Sequence, residues 1–117
     1  MVVSAEYFID FMGQQYASDA QGFLKDRLSW SQDLGRHMAS LEGIELNEEH
    51  WHVIQHFRDY YDDYNIPPPM RMVIRSFKKV FGEEKASSRY LLSLFPEGAT
   101  KSASKFAGLP KPKNCKW

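Results

Sequence analysis

Asn47-Glu48-Glu49-His50-Trp51-His52-Val53-Ile54-Gln55-His56-Phe57-Arg58-Asp59-Tyr60-Tyr61-Asp62-Asp63-Tyr64 runs directly into Asn65-Ile66-Pro67-Pro68-Pro69. Asn47 offers a side-chain acceptor to the unpaired N–H groups of a helix start, and Glu48 and Glu49 suit the positive end of its dipole. Trp51, Ile54, Phe57, Tyr61 and Tyr64 then recur at three, three, four and three, the spacing of one apolar helical face. The Asn-Ile-Pro-Pro-Pro run breaks this helix. Pro69 fits the first turn of another, with Val73, Ile74, Phe77, Val80 and Phe81 as its apolar side and Gly82 as its stop. The opposite side carries Arg71, Arg75, Lys78 and Lys79.

Working outward, Trp30, Leu34, Met38 and Leu41 form a helical stripe that Ser29 caps and Gly43 ends, predicting a helix from about Trp30 to Glu42. Before it, Tyr7, Ile9 and Phe11 alternate with Phe8, Asp10 and Met12, and Gly13 marks the turn of a short hairpin closing on Gln14 to Ala17. Beyond Gly82, Ser88 to Phe95 reads as a short helix ended by Pro96. Ala99 to Ala107 reads as another, with Gly108 at its C-terminal cap. Four or five helices and one hairpin make a single domain, because two halves of a 117-residue chain would each lack a core.

Hydrophobic residues make up 43% of the chain, enough to offset the entropy of ordering it. Fifteen Lys and Arg balance fifteen Asp and Glu, so no global charge points to nucleic acid or an anionic membrane. The distribution is uneven: residues 1–98 are net minus five, and the last nineteen carry Lys101, Lys105, Lys111, Lys113 and Lys116 with no acid. The first basic residue is Lys25, and no apolar run approaches the ~20 residues of a membrane helix, so neither a secretory signal nor a span is expected and a cytoplasmic protein is.

His52 and His56, followed by Asp59 and Asp63, have metal-ligand spacing on one helical face. That face is opposite the apolar stripe, where a helix turns polar groups to water, so a solvated face is expected there and no metal or other cofactor. No GxGxxG or Walker sequence provides a phosphate cradle. The turn before the third helix, with Arg71, Arg75, Lys78 and Lys79, admits a helix-turn-helix reading and a nucleic-acid-binding regulator. The neutral overall charge favours a plain basic face instead.

The tail differs in character. Pro110 and Pro112 alternate with Lys111 and Lys113, and the chain ends Asn114-Cys115-Lys116-Trp117. Cys115 is the single cysteine, excluding an internal disulfide or thiolate cluster, and its surroundings favour exposure. Lys113 and Lys116 favour its thiolate while the terminal carboxylate opposes it. Proline-restricted backbone at ~3.1 Å per residue carries Cys115 roughly 19 Å from Leu109. The residues divide into a globular part, 1–108, and a flexible C-terminal arm, 109–117. An exposed sulfur on such an arm suits a persulfide carrier, with an incidental tail thiol or a non-catalytic scaffold as alternatives.

Gly22-Phe23-Leu24, Trp30, Gly43-Ile44-Glu45-Leu46, Glu49-His50-Trp51, Tyr90-Leu91-Leu92-Ser93-Leu94-Phe95-Pro96 and above all Ala107-Gly108-Leu109-Pro110-Lys111-Pro112 ahead of Cys115 resemble the DsrC/TusE family over nearly the whole chain. The resemblance implies an α+β, mostly helical domain with a helix-turn-helix-like core, a short N-terminal hairpin and a mobile arm. The DsrC type carries a second tail cysteine eleven residues before the last; here that position is Ser104, whose hydroxyl cannot form a disulfide. The likeness is therefore to the TusE branch. It implies a sulfurtransferase in which Cys115 takes persulfide sulfur from a TusBCD-like complex and passes it to an MnmA-like tRNA thiouridylase that modifies the wobble uridine. Lys116 and Trp117 follow the cysteine, whereas the family places it next to last. Lys101, Lys105, Lys111 and Lys113 are expected to steer the tail toward an acidic partner or tRNA.

Overall fold

The computed structural model describes residues 7–112, and Lys113 and Cys115 lie outside that range. A two-stranded antiparallel hairpin, β1 (Tyr7–Phe11) and β2 (Gln14–Ser18), opens the fold, with Tyr7 opposite Ser18 and Phe11 opposite Gln14. Its two-residue turn uses Met12 at φ 52° and Gly13 at φ 76°, the left-handed pair whose twist matches the flanking strands. Five α-helices follow: α1 (Gln32–Ser40), α2 (Glu48–Tyr64), α3 (Met70–Phe81), α4 (Ser88–Leu94) and α5 (Ala99–Phe106). The α+β, mostly helical architecture is the one expected.

The helix α2 is central, packing against α3 and α5, while α1 also rests on α5 and carries the hairpin. Asn47 caps it as expected, accepting from the backbone N–H groups of Glu49 and His50. His50 completes a reciprocal cap: its Nδ1 accepts from the Asn47 N–H at 3.1 Å, and its Nε2–H donates to the Leu94 carbonyl at 2.9 Å. One imidazole thus ties the start of α2 to the end of α4. Burial pushes its pKa below 6.5, opposed by the Leu94 hydrogen bond.

The buried face of α2 is His50, Val53, Ile54 and Phe57 rather than the expected stripe. At 100° per residue, the thirteen residues from Trp51 to Tyr64 fall about 140° short of whole turns, which carries Tyr64 out to 61% exposure. The first helix also begins later than expected. Ser31, not Ser29, is its cap, accepting from Leu34 N–H at 3.1 Å, and Leu41 at its end is exposed. Ser29 belongs to a 3₁₀ turn, Arg27–Ser29, capped by Asp26. On α3, Val73 and Phe77 are buried but Val80 is exposed, because α2 covers only one side. Phe57, Phe77, Phe95, Phe106, Leu34 and Leu109 are all at most 1% exposed and form a single core.

The histidine face of α2 is not turned to water as expected; α3 covers part of it. His52 Nε2 lies 2.9 Å from Ser76 Oγ, and its ring meets Phe77 and Phe81 edge-on at 5.9 and 5.5 Å. His56 is half-buried beside Tyr60, its Nε2 without a partner, and burial lowers its pKa. Among the described residues no three His, Cys, Asp or Glu side chains converge as metal ligands.

Candidate functional site

The site is built around the exit of the C-terminal segment from α5. Ala107 caps that helix, and Gly108 follows at φ 73°, a left-handed conformation that glycine adopts without strain and that reverses the chain out of the last turn. The Gly108 and Leu109 N–H groups return to the carbonyls of Lys105 and Ser104 at 3.1 and 3.0 Å, closing the helix end. Leu109, read from sequence as the first residue of an arm, is 1% exposed. An apolar side chain following a helix-ending glycine reaches back into the core, and packing continues to Pro112, which is also buried.

Two side chains from distant parts of the chain grip this exit. The indole N–H of Trp30 donates to the Phe106 carbonyl at 2.7 Å, and an Arg58 N–H donates to the Ala107 carbonyl at 2.6 Å. These carbonyls are among those that a helix end leaves unpaired. The Arg58 guanidinium lies over the Trp30 ring at 3.9 Å, and Trp51 meets Trp30 edge-on at 6.5 Å with Arg36 over its own ring at 5.2 Å. Gly108 permits the approach, since a Cβ there would stand 2.6 Å from Trp30 Cδ1; at Gly35 a Cβ would stand 2.7 Å from the Phe106 carbonyl oxygen. Partial burial lowers the Arg58 pKa, opposed by Asp62 and Asp59, but a guanidinium stays charged in proteins. The clamp therefore sets a fixed cation beside the base of the tail.

A cleft of about 370 Å³ runs alongside, with Pro110, Lys111 and Pro112 on one wall and Tyr61, Asn65, Ile66 and Pro67 on the other. Arg27 braces the latter wall, pairing with Asp62 at 2.9 Å and lying 5.2 Å over the Tyr61 ring. The final described residues thus leave the fold along the α2–α3 loop.

Of the lysines singled out in the sequence, Lys105 is held by Glu42 and its ammonium lies 5.9 Å over Phe23. Lys101 pairs with Glu97 at 3.3 Å. Both charges are compensated within the domain, which weakens any long-range steering from them. Lys111 is exposed on the cleft rim. Lys113 and the nucleophile candidate Cys115 fall outside the described residues. Ser104 lies buried in α5 at 1% exposure. Arg58 carried no mark in the sequence, and Trp30 was read as part of a helical stripe and of the resemblance but not as a partner of the tail: the two are 28 positions apart, and only the fold brings them together. Gly108, within the most specific stretch of the resemblance, was the element of the clamp whose conformational role was legible.

The comparisons agree with this geometry. Residues 10–116 match the model of the family described as "DsrC like protein". A curated relative from Pectobacterium atrosepticum named sulfurtransferase TusE is 46% identical over 92% of this chain and 98% of its own length. The protein of that name from Escherichia coli is 46% identical over 90% and 96%. Among solved structures, DsrC from Allochromatium vinosum superposes with a TM-score of 0.80 at 41% identity, covering 96% of this chain and all of that one. The oxidized γ-subunit of dissimilatory sulfite reductase, DsrC, from Archaeoglobus fulgidus gives 0.84 at 34% identity, covering 94% and 100%.

Proposed function

The chain belongs to the DsrC-like protein family, as a sulfurtransferase within it, and from that footing we propose that Cys115 carries sulfane sulfur between two larger proteins. The Cys115 thiolate attacks the outer sulfur of a donor cysteine persulfide; the donor S–S bond breaks, its cysteine leaves as thiolate, and Cys115 becomes the persulfide. An acceptor thiolate then attacks the outer sulfur and releases Cys115 as thiolate. Sulfur moves at constant oxidation level, so neither step needs an oxidant or a cofactor.

The donor is a TusBCD-like complex and the acceptor an MnmA-like enzyme that thiolates the wobble uridine of tRNA, in the reducing cytoplasm. What carries this reading is the single cysteine of the chain, three residues past the buried Pro112 and eight past Ala107, where Trp30 and Arg58 grip the end of α5. Three residues extend at most about 11 Å. Within the 109–117 arm read from sequence, Leu109 and Pro112 are packed on the domain, which brings the start of the cysteine's reach close to the fold. A short reach from a fixed exit limits the positions the sulfur can occupy, which helps two host sites of defined geometry to receive it. Ser104 stands where a second cysteine would resolve the persulfide as a disulfide, and a hydroxyl leaves the sulfur available for transfer.

The test is intact mass after incubation with a cysteine-persulfide donor. The chain gains roughly 32 Da, one sulfur atom, removable by thiol reductant and absent in Cys115→Ser. Loading of the serine chain disposes of the mechanism.

A further inference from the structure

The outward face of α3 carries a ridge of cations that the fold itself does not use. Arg71, Arg75 and Lys79 stand four residues apart, so the ridge rises about 12 Å along the helix within roughly 80° of its circumference. All three are exposed, and among the described residues none has a hydrogen bond or an ion pair. Several other basic groups are matched, Arg27 with Asp62, Arg36 with Asp33, Lys85 with Glu49, Lys105 with Glu42, and Lys78, beside the ridge, with Glu83 at 3.6 Å, while among the described residues Lys25 and Arg89 stand exposed without an ion pair but singly rather than in a line. The ridge also sits in the net-acidic part of the chain, residues 1–98, so it is a local feature rather than a surplus of positive charge.

Resting on the proposed relay to tRNA, we propose that this α3 ridge docks the phosphate backbone of the tRNA substrate while the tail serves the acceptor enzyme. Two guanidinium forks and an ammonium in a line suit a run of phosphates better than a single carboxylate. The exposed face of α3 holds no aromatic ring, Asn or Gln, only Met72 and Val80 beside its cations, so it grips backbone without reading bases. Its location is apt: the loop that leads into α3 walls the cleft against Pro110, Lys111 and Pro112. RNA held along α3 would therefore lie beside the exit of the sulfur-bearing segment.

The experiment is an NMR titration of the ¹⁵N-labelled full chain with unmodified tRNA transcript. Amide shifts concentrated on α3 are expected at 50 mM salt. Three phosphate contacts make affinity fall roughly 20- to 40-fold between 50 and 200 mM salt. The triple variant Arg71→Gln, Arg75→Gln, Lys79→Gln loses at least tenfold in affinity and most of that salt dependence, and Lys79→Glu alone weakens binding while leaving the spectrum otherwise native. Cys115→Ser binds as wild type does. Shifts on another face, no binding at 50 mM salt, or a triple variant that binds like wild type overturns the proposal. So does a triple variant that keeps RNA affinity but loses affinity for the acceptor protein alone, which would assign the ridge to an acidic protein surface. Persulfide loading in the same samples separates the two ideas: loading without RNA binding ends only the docking surface, and RNA binding without loading ends only the sulfur reading.

Discussion

Replacing Gly108 by alanine puts one methyl group where α5 hands the chain to the tail. At φ 73° the added Cβ would stand 2.6, 2.7 and 2.8 Å from Cδ1, Cγ and Cβ of Trp30. The indole cannot easily retreat, being bonded to the Phe106 carbonyl, covered by Arg58 and flanked by Trp51. A non-glycine residue in this left-handed conformation costs about 1–2 kcal/mol, and overpacking a closed site about 1–3 kcal/mol, so Gly108→Ala should destabilise by about 2–5 kcal/mol. Gly43 supplies the reference: its φ is 76° with nothing within 4 Å of an added Cβ, so Gly43→Ala bears the conformational cost alone. Urea unfolding followed by circular dichroism at constant m-value measures both. The excess of Gly108→Ala over Gly43→Ala should be about 1–3 kcal/mol, and it should shrink when Trp30→Ala is added, as a double-mutant cycle requires of a direct contact. Equal costs within about 0.5 kcal/mol would refute the Trp30–Gly108 contact and with it the clamp.

Other consequences follow from the same contacts. Arg58→Gln removes a charged hydrogen bond to the Ala107 carbonyl and should cost about 1.5–3 kcal/mol in urea unfolding; Arg58→Lys should recover only part, lacking the planar cover over Trp30. His50 and His56 both have pKa values held below 6.5 by burial, so the unfolded chain binds more protons as pH falls through that value. Thermal stability should drop steadily from pH 7.5 to 5.5, with a shallower drop in His50→Gln; an unchanged slope in that variant would contradict the linkage. Ser104→Cys adds a thiol at a 1% exposed position, so a water-soluble disulfide reagent should modify one thiol per native chain rapidly, at Cys115, and the second only on unfolding. Two rapid thiols would contradict the burial.

The fold was legible where local chemistry specifies it. Asn47 before two acids, the Asn-Ile-Pro-Pro-Pro break and the glycines at 13, 82 and 108 each bear a conformational demand readable in isolation, and the elements they bound lie close to where they were placed. Faces were less legible. Apolar spacing identifies a helix but does not say which neighbour covers it, so Tyr64 and Val80 emerge exposed, while His52 and His56 emerge against α3 and Tyr60. The clamp was least legible of all, because Trp30 and Arg58 act through backbone carbonyls 76 and 49 residues away, and a carbonyl leaves no trace in a sequence. Leu109 shows the same limit: beside a proline-rich tail it reads as extended chain, yet the turn at Gly108 returns it to the core.

Single-turnover relay tests the central claim most directly. The chain is loaded with sulfur on Cys115, freed of donor and mixed with acceptor enzyme and tRNA, and intact mass is followed with time. The account predicts that the roughly 32 Da adduct disappears from the chain as thiolated uridine appears in the tRNA, mole for mole, and that Cys115→Ser supports neither event. Thiolation that proceeds at the same rate with the serine chain, or an adduct that persists while thiolation runs, would contradict it.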